Sequence, residues 1–219
     1  MSFQLDAPGD LERRGEPLDG WLEQLGSAAP TPGGGAAAAL AAAAGAALIE
    51  MVVNLTVGKR AYAEHEPHVQ PIGEQARELR RRALELVGAD AAAFDQVMAA
   101  YGLPKATDEE KAARSAAIQA ASVAAARPPL EIAGVAARVI ELAAALPGRS
   151  NRNVLSDVGV AASLAGAALE SAAINVEVNL GAIRDEAVRD GLRKELSAHL
   201  IAQELGREVV GNVLHGVGG

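Results

Sequence analysis

Apolar residues recur along this chain at three- and four-residue intervals, the period of a helix, and nowhere alternate for long enough to suggest a strand. Leu18, Trp21, Leu22 and Leu25 predict a short amphipathic helix that Gly26 helps to end. An alanine-rich run predicts a second from about Gly35 to Val57, stopped by Gly58, and a third lies between about Pro71 and Tyr101, closed by Gly102 and Pro104. Thr107, with Glu110 three positions on, is the capping box that opens a fourth. Pro128-Pro129 breaks that helix and restarts a fifth, because proline is tolerated in a first helical turn and not in an interior. Pro147-Gly148 ends the fifth, Ser150 to Asn153 forms a turn, and a long apolar helix follows to about Ile183. A charged helix from roughly Asp185 to Leu214 completes the series. Short connections favour antiparallel neighbours, so the expectation is an all-α antiparallel bundle: one domain over residues 1–219, with 1–16 as a flexible N-terminal arm.

Composition narrows the contents of that bundle. Half of the 219 residues are apolar but only 2% are aromatic, so Ala, Leu, Val and Ile must fill the core. A net charge of −8 argues against nucleic acid or anionic lipid as a partner. With no cysteine there is no disulfide, thiolate nucleophile or Cys-based metal site. The first residues lack the cationic start and apolar block of a secretory signal, which makes the cytoplasm the expected compartment. Ala36 to Ile49 carries no polar side chain, yet falls short of the ~20 apolar residues of a membrane span; a buried helix is expected.

Several familiar chemistries are missing. His65 and His68 flank Pro67 with no third ligand, so no metal is expected. Gly58-Lys59 continues into Arg60 and not into a phosphate loop, and Gly33-Gly34-Gly35 neither follows a strand nor extends to a dinucleotide fingerprint.

Three features remain. The segment Pro32-Gly33-Gly34-Gly35 precedes a strong helix without a Ser, Thr, Asp or Asn cap, leaving amides for a ligand to fill or marking a tight helix crossing. Asp90 interrupts the stripe Leu86, Val87, Phe94, Val97 and Tyr101, so its carboxylate either faces water at the stripe's edge or is an acid–base group whose pKa burial raises. Ser171, Asn175 and Asn179 form a polar row on an apolar helix, satisfied by neighbouring helices or by a ligand.

PTPGGG, Asn54-Leu55-Thr56 with Gly58-Lys59, Asp90-Ala91-Ala92-Ala93-Phe94, Leu103-Pro104-Lys105, Pro129-Leu130, Asn153 with Ser156-Asp157, and Asn175-Val176 with Asn179-Leu180 follow one another in order between about Leu18 and Leu205. Together they resemble the cyclodeaminase/cyclohydrolase family, which comprises the C-terminal half of formiminotransferase-cyclodeaminase and the stand-alone methenyltetrahydrofolate cyclohydrolases. The resemblance implies an all-helical homodimer acting on a tetrahydrofolate derivative, with no cofactor besides that substrate. It makes Asp90 the catalytic carboxylate and assigns the substrate to Pro32, Gly33, Gly34, Gly35, Asn54, Phe94, Asn153, Ser156, Asp157, Asn175 and Asn179. A polyglutamate tail would need cations, for which Lys59 with Arg60 and Arg152 with Arg149 are the candidates. Ala36 stands where the family often has Ser. The formiminotransferase half has no counterpart here, so a transferase would be a separate chain. The activity implied is 5-formiminotetrahydrofolate cyclodeaminase, with 5,10-methenyltetrahydrofolate cyclohydrolase as the alternative and a non-catalytic folate- or protein-binding dimer as a third.

Overall fold

Alanine and glycine at the helix crossings set how closely this bundle packs. A computed structural model describes residues 18–217, so the expected N-terminal arm lies outside the described residues. Among them are eight α-helices: α1 (Leu18–Leu25), α2 (Gly34–Asn54), α3 (Glu66–Tyr101), α4 (Asp108–Ala125), α5 (Arg127–Ala144), α6 (Leu155–Leu180), α7 (Glu186–Leu200) and α8 (Ala202–Val217). The all-α expectation holds. α2, α5 and α6 make the centre, α3 packs along α2, and α8 lies across α5 and α6. Buried side chains form one continuous cluster in which Ala36, Ala39, Ala42, Ala46, Ala133, Ala161 and Ala165 are fully buried. At Gly45 a β-carbon would meet the Ala161 carbonyl oxygen at 3.1 Å and Val139 at 3.4 Å, so no larger residue fits where α2, α5 and α6 cross.

Neighbouring helices run antiparallel. Gly35 faces Asp90 at one end of the α2–α3 pair and Gly73 faces Val53 at the other. Along α6, Asn175 lies beside Gly34 and Ala161 beside Gly45. Both α2 (Gly34–Asn54) and the segment Arg152–Leu180 are long and apolar enough to cross a membrane. Here each packs against the other, with α3, α5 and α8 around them.

The structure shifts several boundaries. α3 starts at Glu66 and not near Pro71; Pro67 sits in its first turn, and Pro71 is carried inside the helix. The predicted final helix is two, broken at Ile201, where neither proline nor glycine marks the break. The capping box is present: the Glu110 amide donates to Thr107 Oγ1 at 3.2 Å and Glu110 Oε2 accepts from the Thr107 amide at 3.1 Å. A larger correction concerns the α3 stripe. With 36 residues, α3 is about 54 Å long, whereas α2 with 21 is about 32 Å. Beyond Asp90, α3 therefore overruns α2 and keeps α4 as its neighbour. Leu86 and Val87 are buried, but Phe94 is 38% and Tyr101 48% exposed.

Gly45→Leu is expected to lower stability by roughly 3 kcal/mol through overpacking. Gly191→Ala, on the open face of α7 with nothing within 4 Å, should raise it by about 0.5–1 kcal/mol. Denaturant midpoints read both; a neutral Gly45→Leu contradicts the crossing described here.

Candidate functional site

The first anomaly in the sequence turns out to be answered by the second. Helix α2 begins after Gly33, whose backbone is extended and which supplies no side-chain cap. The Thr31–Pro32 peptide bond before it is cis. Asp90, on α3, fills the space at this helix start: a β-carbon on Gly35 would lie 2.5 Å from its Cγ and Oδ2. The amide of Ala36, in the first turn of α2, is directed at the same carboxylate. Asp90 therefore caps α2 from another helix, and glycine at 35 makes room for it.

Two effects compete on this carboxyl group. Burial raises its pKa above the ordinary carboxylate value, and the Ala36 amide, which favours the charged form, pulls it part of the way back. Burial is the larger, so the net direction is upward. The carboxylate is half-buried and does not face open water as a residue at the stripe's edge would. Ala36 itself is fully buried.

Asn175 joins this cluster from α6. Its Nδ2 donates to the Ser171 carbonyl at 2.8 Å, while the side-chain amide would lie 3.7 Å from a β-carbon on Gly34. Asn179, one turn on, donates to the carbonyl of Ala125 at the end of α4, a helix-to-helix bond. Phe94 stands one turn beyond Asp90, exposed. Pro32, Gly33, Gly34, Gly35, Asp90, Phe94, Asn175 and Asn179 thus share one end of the bundle.

The remaining predicted residues lie at the opposite end, about 30 Å away by the length of α2. Asn54 is the last residue of α2 and is exposed. Lys59 and Arg60 follow in the next turn; Arg152, Asn153, Ser156 and Asp157 belong to the turn and first residues leading into α6. These two segments are bound together by Asn151, which sequence reasoning included in the turn without giving it a role. Its amide donates to Thr56 Oγ1 at 3.0 Å, its Nδ2 to the Leu55 carbonyl at 3.0 Å, and its Oδ1 accepts from the Asn153 amide at 3.1 Å. Thr56 and Asn151 are both buried, and they lie 95 residues apart, so no local pattern in the sequence joins them. Tyr62 adds a bond from the Arg152 amide to its hydroxyl, 3.1 Å. Within one chain the structure therefore does not bring the Asn153–Asp157 segment to Asp90. Among the described residues no three His, Cys, Asp or Glu side chains cluster to hold a metal.

Comparison with known proteins identifies the family. Residues 17–198 match the formiminotransferase-cyclodeaminase family. The chain belongs to that family. A methenyltetrahydrofolate cyclohydrolase from Methylorubrum extorquens is 48% identical over 185 residues, 84% of this chain and 89% of that one. The formimidoyltransferase-cyclodeaminase of Sus scrofa is 32% identical over 84% of this chain, which matches only 34% of that longer protein. A crystal structure of formiminotetrahydrofolate cyclodeaminase from Thermotoga maritima superposes with a TM-score of 0.83 at 31% identity, covering 95% of this chain and 99% of that one. The family resemblance read from PTPGGG, D-x-x-x-F and the two asparagines is thereby confirmed, and so is membership of a family of folate enzymes.

A carboxyl group with a raised folded-state pKa makes a signed prediction. Between its ordinary and its folded value the folded chain holds more protons than the unfolded one, so stability falls as pH rises through that window. Asp90→Asn, which keeps an acceptor for the Ala36 amide, should at neutral pH be at least as stable as the parent. Its advantage should vanish below the ordinary carboxyl range near pH 3.9. Melting temperatures against pH test this. A loss above about 4 °C at neutral pH, ~1 kcal/mol or more for a chain of this size, would make Asp90 a structural cap first.

Proposed function

We propose that this chain is a 5,10-methenyltetrahydrofolate cyclohydrolase, acting in the cytoplasm. The observation that carries the reading is the Asp90 carboxyl group, held at the glycine turn with its pKa raised. The sequence alone put cyclodeamination first; the 48% identity with a protein named cyclohydrolase, against 32% with a cyclodeaminase-containing one, now favours hydrolysis. In that reaction water attacks the methenyl carbon bridging N5 and N10, and the Asp90 carboxylate takes the proton the water loses. When the tetrahedral carbon collapses, the bond to N5 breaks, the same carboxyl group returns the proton to N5, and the hydroxyl left on that carbon gives up its own proton to solvent, leaving a formyl group on N10. A group that must accept and then donate works best with a pKa near the ambient pH, and burial moves Asp90 in that direction. The amides at the start of α2 and the carboxamide of Asn175 lie beside it to orient the pteridine. The Thermotoga structure supports the second reading, 5-formiminotetrahydrofolate cyclodeamination, in which Asp90 would protonate departing ammonia; a separate formiminotransferase chain would then supply the substrate.

The working unit we propose is a homodimer. The outward faces of α2 and α6 carry Ala37, Ala41, Ala44 and Leu48, spaced four, three and four apart, beside Val160, Ala167, Ile174 and Val178, spaced seven, seven and four apart. Ile174 and Val178 are 66% and 72% exposed. Charges on these helices are turned aside: Glu50 pairs with Arg77 and Arg80 on α3, and Glu177 with Arg193 on α7. An antiparallel copy on this face would set the Asn153–Asp157 end of one protomer beside the Asp90 end of its partner, which accounts for why the family's residues divide between two ends of one chain.

Mixed with 5,10-methenyltetrahydrofolate, the protein should remove the methenyl absorbance faster than the spontaneous rate, and with 5-formiminotetrahydrofolate it should not generate it. The reverse pattern would make it a cyclodeaminase, and inactivity in both would remove the enzyme. Asp90→Asn should cut kcat by about 10²-fold or more. Gly35→Ala, which forces the carboxylate aside, should do the same, and the double variant should be no worse than either because both remove one function. Light scattering on the same sample should give about twice 22.3 kDa.

A further inference from the structure

Among the described residues, most arginines and lysines are matched with carboxylates, as in the Arg77, Arg80, Arg82, Arg127, Arg138 and Arg193 pairs. Two regions depart from this: the turns carrying Lys59, Arg60, Arg149 and Arg152 at the far end of α2, and a region beside α4. A cavity of about 290 Å³ between the α3–α4 turn, α4 and the α6–α7 turn is lined by Lys105, Lys111, Arg114, Ser115, Ile118 and Arg184. Lys111 is paired with Asp108 at 2.8 Å. Arg114 and Arg184 are instead fixed by neutral groups. Arg114 Nε and Nη2 donate to the Tyr101 carbonyl at 3.2 and 3.0 Å, with its guanidinium 5.5 Å from the Tyr101 ring centre, and Arg184 Nη1 donates to Ser115 Oγ at 3.0 Å. Lys105 completes the wall from the loop before α4. In a chain of net charge −8, cations held in place without a counter-charge constitute a local site for anions.

The position of this cavity says which anion. Tyr101, which holds Arg114, lies eleven residues after Asp90 on α3, about 16 Å along the helix. Between them Phe94, Met98 and Tyr101, spaced four and three apart, form an exposed apolar strip, with Met98 53% exposed. Reactive carboxylate, apolar strip and cationic cavity thus stand in line on the overhanging part of α3. A folate has the same order: the one-carbon unit at the pteridine, an aromatic arm, then glutamate carboxylates separated by methylenes. The cations come from three separate segments, and Ile118 places an apolar side chain among them, which suits a chain of spaced carboxylates better than a compact anion. The start of α4 is closed by its own capping box and carries Asp108, Glu109 and Glu110, so its amides are not free for phosphate.

We propose that this cavity holds the γ-linked glutamate tail of the folate, with Lys105, Arg114 and Arg184 binding its carboxylates and the strip from Phe94 to Tyr101 carrying the aromatic arm. The assignment rests on the folate reading above, and it moves the tail from Lys59, Arg60 and Arg152 to the Asp90 end of the same chain.

Calorimetry with free γ-linked pentaglutamate tests the site without any pteridine. The full chain should bind the peptide at low salt and lose that binding towards 1 M, where the Debye length is about 3 Å. Arg114→Ala with Arg184→Ala, and separately Lys105→Glu, should weaken it by roughly ten-fold or more. In kinetics the same variants should raise KM for pentaglutamylated methenyltetrahydrofolate about ten-fold more than KM for the monoglutamate. No binding by the parent chain, equal binding by the variants, displacement by inorganic phosphate at equal concentration, or tail dependence found in Lys59→Ala with Arg152→Ala instead would each overturn the site. A protein that binds the peptide but turns over no folate would retain the site and refute the folate reading.

Discussion

The Asp90 carboxyl group rests against the start of α2, in space that exists because residue 35 has no side chain. Each partner explains the other. Without Asp90 the first turn of an alanine helix would have no side-chain cap, and without the glycine turn an acidic group on a buried stripe would have nothing to receive it. Neither solution is complete. One backbone amide offsets only part of the cost of taking a carboxylate out of water, and the remainder appears as a raised pKa. A fully satisfied cap would be more stable and chemically inert; this one leaves the proton mobile.

Packing around that contact follows from small residues. Ala36, Ala39 and Gly35 on one face of α2 allow α3 and α6 to approach closely enough for Asp90 and Asn175 to reach the same turn. Length mismatch then does the rest. Because α3 outruns α2, the side chains after Asp90 emerge from the core as an exposed strip and end at Arg114, turning what the spacing alone suggests is a core stripe into a surface with a direction.

Much of this was legible in the sequence, for identifiable reasons. Helix positions followed from periodicity and from Pro and Gly punctuation, and the Thr107 cap was readable because both its partners lie within four residues. Gly33 to Gly35 and Asp90 each stood out as local anomalies, but their contact joins residues 55 apart in sequence, and no local pattern encodes it. The break at Ile201 has no breaker residue, so periodicity passed through it. Phe94 and Tyr101 looked like core because a helical stripe does not reveal where its partner helix ends. The cationic cavity was hidden for a similar reason: Arg184 lies far along the chain from Lys105 and Arg114, and only the turn after α6 brings it to them.

The account depends on the protonation behaviour of one carboxyl group. Carbon-13 NMR titration of aspartate-labelled protein, with the Asp90 signal assigned by its loss in Asp90→Asn, measures that directly. A midpoint clearly above the ordinary aspartate value of about 3.9 is predicted, moving toward that value in Gly35→Ala, where the carboxylate is pushed out toward water. A midpoint at or below 3.9 in the parent protein would show that the Ala36 amide outweighs burial, and Asp90 would then be a cap and not a proton carrier.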